Sequence, residues 1–500
     1  MRHGRLSVCP KTIRKAVAGL CATTILTLTP GGVKGTTTVA PAAPPPAQAQ
    51  VQAFRVSPQQ EAFLDQLERD TFRLFWEASP ETGLTPDRLP GSQVSSVAAV
   101  GFALTSYLVG VERGYVSRAD AAARTLTTLE TLWKMPQGPE ASGTGGYQGL
   151  YYHFVDSRQG LRAWDSELST IDTALLMAGV LSAQVYFDRD DAVERSIREL
   201  SDRLYRRVDW AWASSRKAAP LLSMGWTPEG GYIEADWSGF NEGMILYVLA
   251  LGSPTHPVDP RAWEQWTRSY QWEGERDAAH VAFGPMFGHQ YSHVWIDFKG
   301  IQDAYMRAKG SDYFANSVRA THANRDYCIA NPRGWKGYGE LVWGLTASDG
   351  PNPGKPGAAD AAGFHSYWAR GAAPGGVADD GTIAPTAAGG SVPFAPEVTI
   401  PTLMHLREQF GDRIYGQYGF KDAFNLSYPH SGGEGWFDDQ YLAIDSGPIL
   451  LMIENYRSGF LWGLMKRSPY VASGLKKAGF AGGWLDGVGG KLADATEQPH

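Results

Sequence analysis

"YLAIDSGPILLMIENYRSGFLW" (441–462) runs apolar on nearly every side through its middle, yet Asp445 stands at its head and Glu454 and Arg457 follow towards its end. A helix without a wet face must be enclosed by other helices. The stretch therefore predicts an interior helix with a carboxylate at its mouth. Three further segments share this character: "SSVAAVGFALTSYLVGV" (95–111), "DTALLMAGVLSAQVYF" (172–187) and "EGMILYVLAL" (242–251).

Between the dry segments lie amphipathic ones, with apolar residues at helical spacing and charges on the other face. They cover 57–78, 117–135, 190–210, 259–272 and 311–330. The alternation predicts an all-α fold, an (α/α)6 barrel of inner helices wrapped by outer ones; a plain helical bundle or solenoid is the alternative. The Gly-, Pro- and Ala-rich stretch 347–390 predicts a long ordered loop over one end of the barrel.

Residues 1–50 read as a secretory signal peptide and leader: a basic start, the short apolar run "AVAGLCATTILTLT" and a Pro- and Ala-rich tail. That predicts a periplasmic or secreted product, with one domain over 51–485 and a flexible tail over 486–500. Of 45 basic and 52 acidic side chains, six basic ones lie in the leader, which leaves 39 against 52, a balance of −13. Such a balance argues against nucleic acid as a partner. Only Cys328 lies outside the leader, so no intrachain disulfide is expected in the mature chain. No other segment has the length and purity of a membrane span. A monomer is the default expectation.

Aromatic residues crowd Gly-rich stretches such as "GTGGYQGLYYHF" (143–154), "GWTPEGGYIEADWSGF" (225–240) and "GWKGYGELVWG" (334–344). Trp226, Tyr232 and Trp343 are candidate platforms for flat sugar faces, and Trp436 in "GGEGWFDDQY" (432–441) is another. The alternative for each ring is satellite core beneath a loop.

Three dry segments begin with an acid: Asp172, Glu242 and Asp445. If the inner helices run the same way, these carboxylates converge at one end, where backbone N–H groups and the helix dipole favour negative charge. Capping is the alternative: Ser169 and Asp172 fit an S-x-x-D helix start, and Asp445 fits a first turn that tolerates Pro448. Two carboxyl groups facing each other across a sugar cleft are the equipment of a glycosidase. Glu242 is the candidate acid and Asp445 the candidate base. Glu167 and Asp172 are candidates for binding substrate hydroxyls, and Arg457 for reaching the cleft with Glu454. His289 and His293 have the i, i+4 spacing of a zinc pair, but the Glu of H-E-x-x-H is absent and no third ligand is evident. Their expected role is hydrogen bonding to sugar or within the core, with no metal and no cofactor.

The blocks "LYVLALGSPTHPV" (246–258), "PMFGHQYSHVWIDFKG" (285–300), "DYCIANP" (326–332), "WGLTASDGP" (343–351), "DGTIAPTAAGGSVPFAPE" (380–397), "YGFKDAFN" (418–425) and "IDSGPILLMIENYRSGFLW" (444–462) carry a resemblance. Together they resemble the glucoamylase-like domain of bacterial β-1,2-glucanases of glycoside hydrolase family 144 and of cyclic β-1,2-glucan synthases. The likeness is dense over 225–470, and "STIDTALLMAGVL" (169–181) extends it upstream. It implies an (α/α)6 barrel that hydrolyses β-1,2-glucan with inversion and without a metal. It carries the family's acid onto Glu242 and its base onto Asp445, with Asp422 in "GFKDAFN" as the nearest rival and otherwise a substrate-binding candidate. Relatives commonly read "IDQGP" where this chain has Ser446, which removes a side-chain amide beside the base. Endo-acting, exo-acting and transglycosylating enzymes stay open on this reading, as does a glucan-binding protein without turnover.

Overall fold

The computed structural model describes residues 54–214, 219–373, 376–429 and 433–488. The leader and residues 489–500 of the tail lie outside them. Residues 486–488, read as tail, instead complete a 3-10 turn, Gly483–Val488, whose Trp484 donates Nε1–H to the carbonyl of Asp297 at 2.8 Å.

Among the described residues fifteen α-helices follow in order: α1 (Pro58–Glu77), α2 (Val97–Glu112), α3 (Arg118–Lys134), α4 (Thr170–Tyr186), α5 (Ala192–Arg207), α6 (Met244–Gly252), α7 (Ala262–Thr267) and α8 (Tyr291–Trp295) lead to α9 (Ala304–Lys309), α10 (Tyr313–Ala330), α11 (Pro385–Gly389), α12 (Pro396–Phe410), α13 (Ala443–Arg457), α14 (Phe460–Met465) and α15 (Pro469–Lys477). The described strands are only two or three residues long.

The dry segments form α2, α4, α6 and α13, and these helices are buried almost throughout their length. They pack in sequence, α13 on α2, α2 on α4 and α4 on α6. Small residues set how closely: a Cβ on Gly101 of α2 would come within 2.3 Å of the Leu175 carbonyl of α4, and one on Gly179 within 2.2 Å of the Gly101 carbonyl. Any side chain there would force the two backbones apart. Two five-residue helices, α8 and α11, continue the interior. Buried Gln290, just before α8, donates Nε2–H to the Ala387 carbonyl of α11 at 2.9 Å, and Thr386 of α11 donates its hydroxyl to the Asp445 carbonyl of α13 at 2.7 Å.

Outside this interior lie the wet-faced helices. Helix α1 starts with a reciprocal cap: Ser57 Oγ accepts the Gln60 N–H at 3.2 Å while Gln60 Oε1 accepts the Ser57 N–H at 2.9 Å. Its apolar face lies on α13 and α2. Helices α3 and α5 lie against each other and against α2 and α4, and α15 covers α6. No helix among the described residues is long and apolar enough to cross a membrane.

Short antiparallel ladders tie together the starting ends of the interior helices. Arg88–Leu89 pairs with Tyr441–Leu442, which runs into α13. Val94–Ser96, which runs into α2, pairs with Phe154–Asp156. Leu168–Ser169, which runs into α4, pairs with Gly225–Thr227.

The described residues of the 347–390 stretch are ordered, as expected, but its end is not loop: Pro385–Gly389 is interior helix α11. A fully buried ion pair holds the rest, with Arg370 Nε to Asp380 Oδ1 at 2.6 Å and Nη2 to Oδ2 at 2.9 Å. Arg370 also donates to the carbonyls of Ser348 and Ser366. The guanidinium therefore ties together three stretches of chain that have little regular secondary structure.

Arg457, expected near the cleft, lies at the opposite end of α13 from Asp445. It pairs with Glu61, Asp65 and Glu68 of α1, while Glu454 pairs with Arg113 at 2.6 Å. Glu68 is fully buried, and burial with the neighbouring Glu454 pushes its pKa up to about 9, so losing Arg457 leaves a buried carboxyl group short of a donor. Arg457→Ala is expected to lose about 1–3 kcal/mol of stability in denaturant unfolding, whereas a merely exposed arginine would lose almost none.

Candidate active site

The start of α13 places Asp445 in its first turn, yet the acid caps nothing. Leu442 is the N-cap residue and makes no side-chain cap bond. Asp445 is 3% exposed, and neither of its carboxylate oxygens meets a hydrogen-bond donor. A buried carboxylate without donors is costly. Burial raises its pKa, Asp349 and Asp87 add to the rise, and Asp422 and Arg88 oppose it.

Glu242 sits just ahead of α6, whose N-cap is Gly243. Its side chain is buried and its Oε2 has no partner. Burial pushes its pKa up to about 7, with Asp172 adding and its own backbone N–H opposing. Asp172 lies in the first turn of α4 and does share in a cap: Ser169 Oγ accepts the Asp172 N–H at 3.2 Å and donates its hydroxyl to the Asp172 carboxylate. The expected convergence of the three acids is visible at Tyr291, the first residue of α8. Its buried phenol feels the charges of Asp445, Glu242 and Asp172 together.

A histidine organises the Asp172 side. His153 Nδ1 lies 3.0 Å from Glu167 Oε1 and its Nε2 lies 3.7 Å from Asp172 Oδ1. Burial opposes an imidazolium here, but Asp172 and then Glu167 outweigh it and push the pKa up to about 9. In return His153 holds Glu167 below its ordinary range despite burial.

On the Asp445 side lies a larger acidic group. Asp422 accepts the Asp349 N–H on Oδ2 at 2.6 Å. Arg88, opposite Leu442 in the ladder, donates to Asp349 Oδ2 at 2.7 Å and to Asp87 Oδ2 at 3.1 Å. Asp349, Asp422 and Asp438 each bring one oxygen within 4.8 Å of the others. Among the described residues this is the one group of three or more acidic, His or Cys ligands spaced to hold a metal ion. Beside it opens a cavity of about 280 Å³ lined by Arg88, Asp349, Tyr367, Asp438, Trp436 and the 352–354 turn. A second pocket, of about 10 Å³, lies between Asp422, Asp445, Ser446 and Thr386. That is room for about one water molecule.

The structure thus brings together Glu167, Asp172, Glu242, Asp422, Asp445 and Trp436. Trp226 and Tyr232 stand on the hairpin paired with Leu168–Ser169, in a ring cluster with Tyr147 and Trp212. Three other candidates are not brought to the site. Trp343 is fully buried and donates Nε1–H to Thr402 Oγ1 at 2.8 Å in a separate apolar core. His289 and His293 are also buried. Their Nε2 atoms face the Phe283 carbonyl at 3.0 Å and Ser317 Oγ at 3.2 Å, and burial pushes both pKa values down to about 3. They are neutral core histidines with separate partners.

Residues missed by sequence reasoning are His153, Arg88, Asp349, Asp438, Tyr291 and Tyr367. Tyr291 and Asp438 lie inside stretches singled out for other residues, "HQYSH" and "GGEGWFDDQY".

Buried carboxyl groups with raised pKa values, gathered beside half-buried rings at the mouths of apolar helices, form an acid–base site of the hydrolase kind. A family profile described as "Putative glucoamylase" matches residues 234–469. An exo β-1,2-glucooligosaccharide sophorohydrolase (non-reducing end) of Parabacteroides distasonis is 30% identical over 450 residues, 83% of this chain and 58% of the relative. The chain thus spans 58% of the length of that curated relative. The crystal structure of a "putative glucoamylase" from Bacteroides uniformis is 32% identical, with a TM-score of 0.74 over 86% of this chain and 100% of the other. An endo-β-1,2-glucanase from Chitinophaga pinensis, in complex with sophorotriose and glucose, is 30% identical, with a TM-score of 0.73 over 86% and 100%. The chain belongs to this glucoamylase-like family.

His153 offers a direct test of the electrostatics. Its ring nitrogens are expected to titrate in NMR with a midpoint near 9, and Glu167→Gln should lower that midpoint by about one pH unit or more.

Proposed function

We propose that this protein hydrolyses β-1,2-glucan with inversion, using Glu242 as general acid and Asp445 as general base. The observation that carries the proposal is the pair of buried carboxyl groups with donor-free oxygens, both within electrostatic reach of Tyr291. Glu242 suits the acid, because burial favours its protonated form near neutral pH. Asp445 suits the base, because an oxygen without a donor is free to take a proton from water. The β-1,2 linkage is supported by the relatives named above.

The scaffold is an (α/α)6 barrel on this reading, with α2, α4, α6, α8, α11 and α13 as inner helices. It is supported by the order in which these helices touch and by the acids at the starting ends of three of them, α4, α6 and α13. Glu167, Asp172, Asp422, Trp226, Tyr232 and Trp436 are the proposed substrate-contacting residues. Trp343, His289, His293 and Arg457 drop out because of their burial and partners. We further propose that the first fifty residues direct export and are removed, so that a monomer of one catalytic domain works in the periplasm or outside the cell.

Incubation with linear β-1,2-glucan should release new reducing ends, with the inverted anomer first in NMR. Glu242→Gln and Asp445→Asn should each lower kcat by about 10²–10⁴-fold while the fold is kept. Near-normal turnover in either variant would refute its assignment. The acid must be protonated to work. The kcat of the wild type should therefore fall as pH rises through about 7, the value to which Glu242 is raised. A profile flat through neutral pH would count against Glu242 as the acid.

A further inference from the structure

Trp164 is 65% exposed, the most exposed large apolar side chain among the described residues. It is also held in a backbone conformation that such a residue avoids. Ser166 donates its N–H to the Ala163 carbonyl at 3.4 Å, which closes a turn with Trp164 as its second residue, and φ there is +54°. Gly, Asn or Asp ordinarily fills that place, because a bulky side chain crowds its own backbone when φ is positive. A costly conformation of this kind persists only where the surroundings impose it.

Those surroundings are firm. Arg162, whose side chain is 2% exposed, donates Nε–H to the Ser166 carbonyl at 2.6 Å and grips Glu229 through two bonds of 2.7 and 3.1 Å. The Phe154 carbonyl accepts both the Ala163 N–H at 2.9 Å and the Ser166 hydroxyl at 3.1 Å. Glu229 lies in the turn between Gly225–Thr227 and Gly231–Tyr232, the hairpin that carries Trp226 and Tyr232. The Trp164 turn is therefore fastened to the Phe154 strand and to that hairpin, while most of the indole stays open to solvent.

Rings connect this indole to the acid site. Phe154 meets Trp164 edge-on at 5.3 Å between centroids and stacks on the His153 ring at 3.9 Å. His153 in turn lies 3.0 Å from Glu167. Trp164 thus stands two rings from a carboxylate of the site, on its exposed rim. Core packing does not account for a side chain left so open. A single exposed ring is also far smaller than the apolar patch that a protein partner needs. A pyranose, with a flat apolar face and hydroxyls around its edge, matches one ring beside polar groups.

We infer that Trp164 is a sugar platform at the rim of the site, stacking on a glucosyl unit of a long β-1,2-glucan beyond the units held by the acids. The inference rests on the glucan reading proposed above and extends it from the reacting units to the chain outside them. Because the turn is fastened before the sugar arrives, little ordering of the protein is left for binding.

Two substitutions test this. Trp164→Gly removes the ring and places at φ +54° the residue that best tolerates it, so the fold should be kept. Trp164→Phe keeps a flat face. On long linear β-1,2-glucan, Trp164→Gly is expected to raise KM about tenfold with kcat within about twofold of wild type, and Trp164→Phe to raise KM about threefold or less. On a β-1,2-linked trisaccharide, which the acids alone can hold, neither variant should move KM by more than about twofold. Calorimetric titration of the long glucan into Glu242→Gln protein should show the same weakening when Trp164→Gly is added.

Equal KM for wild type and Trp164→Gly on the long glucan would overturn the inference. So would a loss confined to kcat, or one as large on the trisaccharide, because the turn would then act by shaping the acid site. If the wild type neither binds nor cleaves β-1,2-glucan, the proposed function fails and takes this inference with it, a result distinct from any difference among the Trp164 variants.

Discussion

The interior placement of the Asp445 carboxylate, sharing a small pocket with Asp422 and with no donor on either oxygen, governs how the surrounding structure must be built. Such a group survives only where neighbours set its charge and where rigid elements prevent it from turning towards water. Helix α13 holds it from one side, and the ladder between Arg88–Leu89 and Tyr441–Leu442 fixes the approach to that helix. The same ladder delivers the Arg88 guanidinium, which anchors Asp349. Packing, register and electrostatics therefore meet in a few residues of chain.

On the other side, Glu242 is tuned mainly by desolvation, and Asp172 and Glu167 share the charge of His153. That side of the site thus uses two kinds of physics. One keeps a carboxyl neutral by depriving it of water. The other balances two carboxylates against one imidazolium. Tyr291, the first residue of the five-residue helix α8, feels the charges of Asp445, Glu242 and Asp172 together.

Much of this was legible in the sequence where apolar runs are long. Helices α2, α4, α6 and α13 announce themselves by having no wet side, and the acids at three of their starts follow from the same reading. Helices α8 and α11 were invisible, since five residues are too few for a period and "PTAAG" lacks bulky apolar side chains. Lone polar residues in apolar blocks were misjudged in a consistent way. His289, His293 and Trp343 looked like groups awaiting a ligand, but each satisfies one polar atom on a nearby backbone or hydroxyl group and otherwise packs as core. His153 and Asp349 were missed because their importance lies in partners distant along the chain. His153 bonds Glu167 fourteen residues on, and Asp349 bonds Asp422 seventy-three residues on.

The Arg370–Asp380 clamp bears on how a long polymer would meet this surface. The segment it fastens contributes Asp349, Tyr367 and the 352–354 turn to the wall of the larger cavity, and the buried Arg370–Asp380 pair belongs to the folded interior. The conformational entropy of arranging that wall is lost during folding, so association has less ordering left to do. A supple chain of sugars would settle into a trough cast beforehand, and the disorder surrendered on docking would be mostly its own.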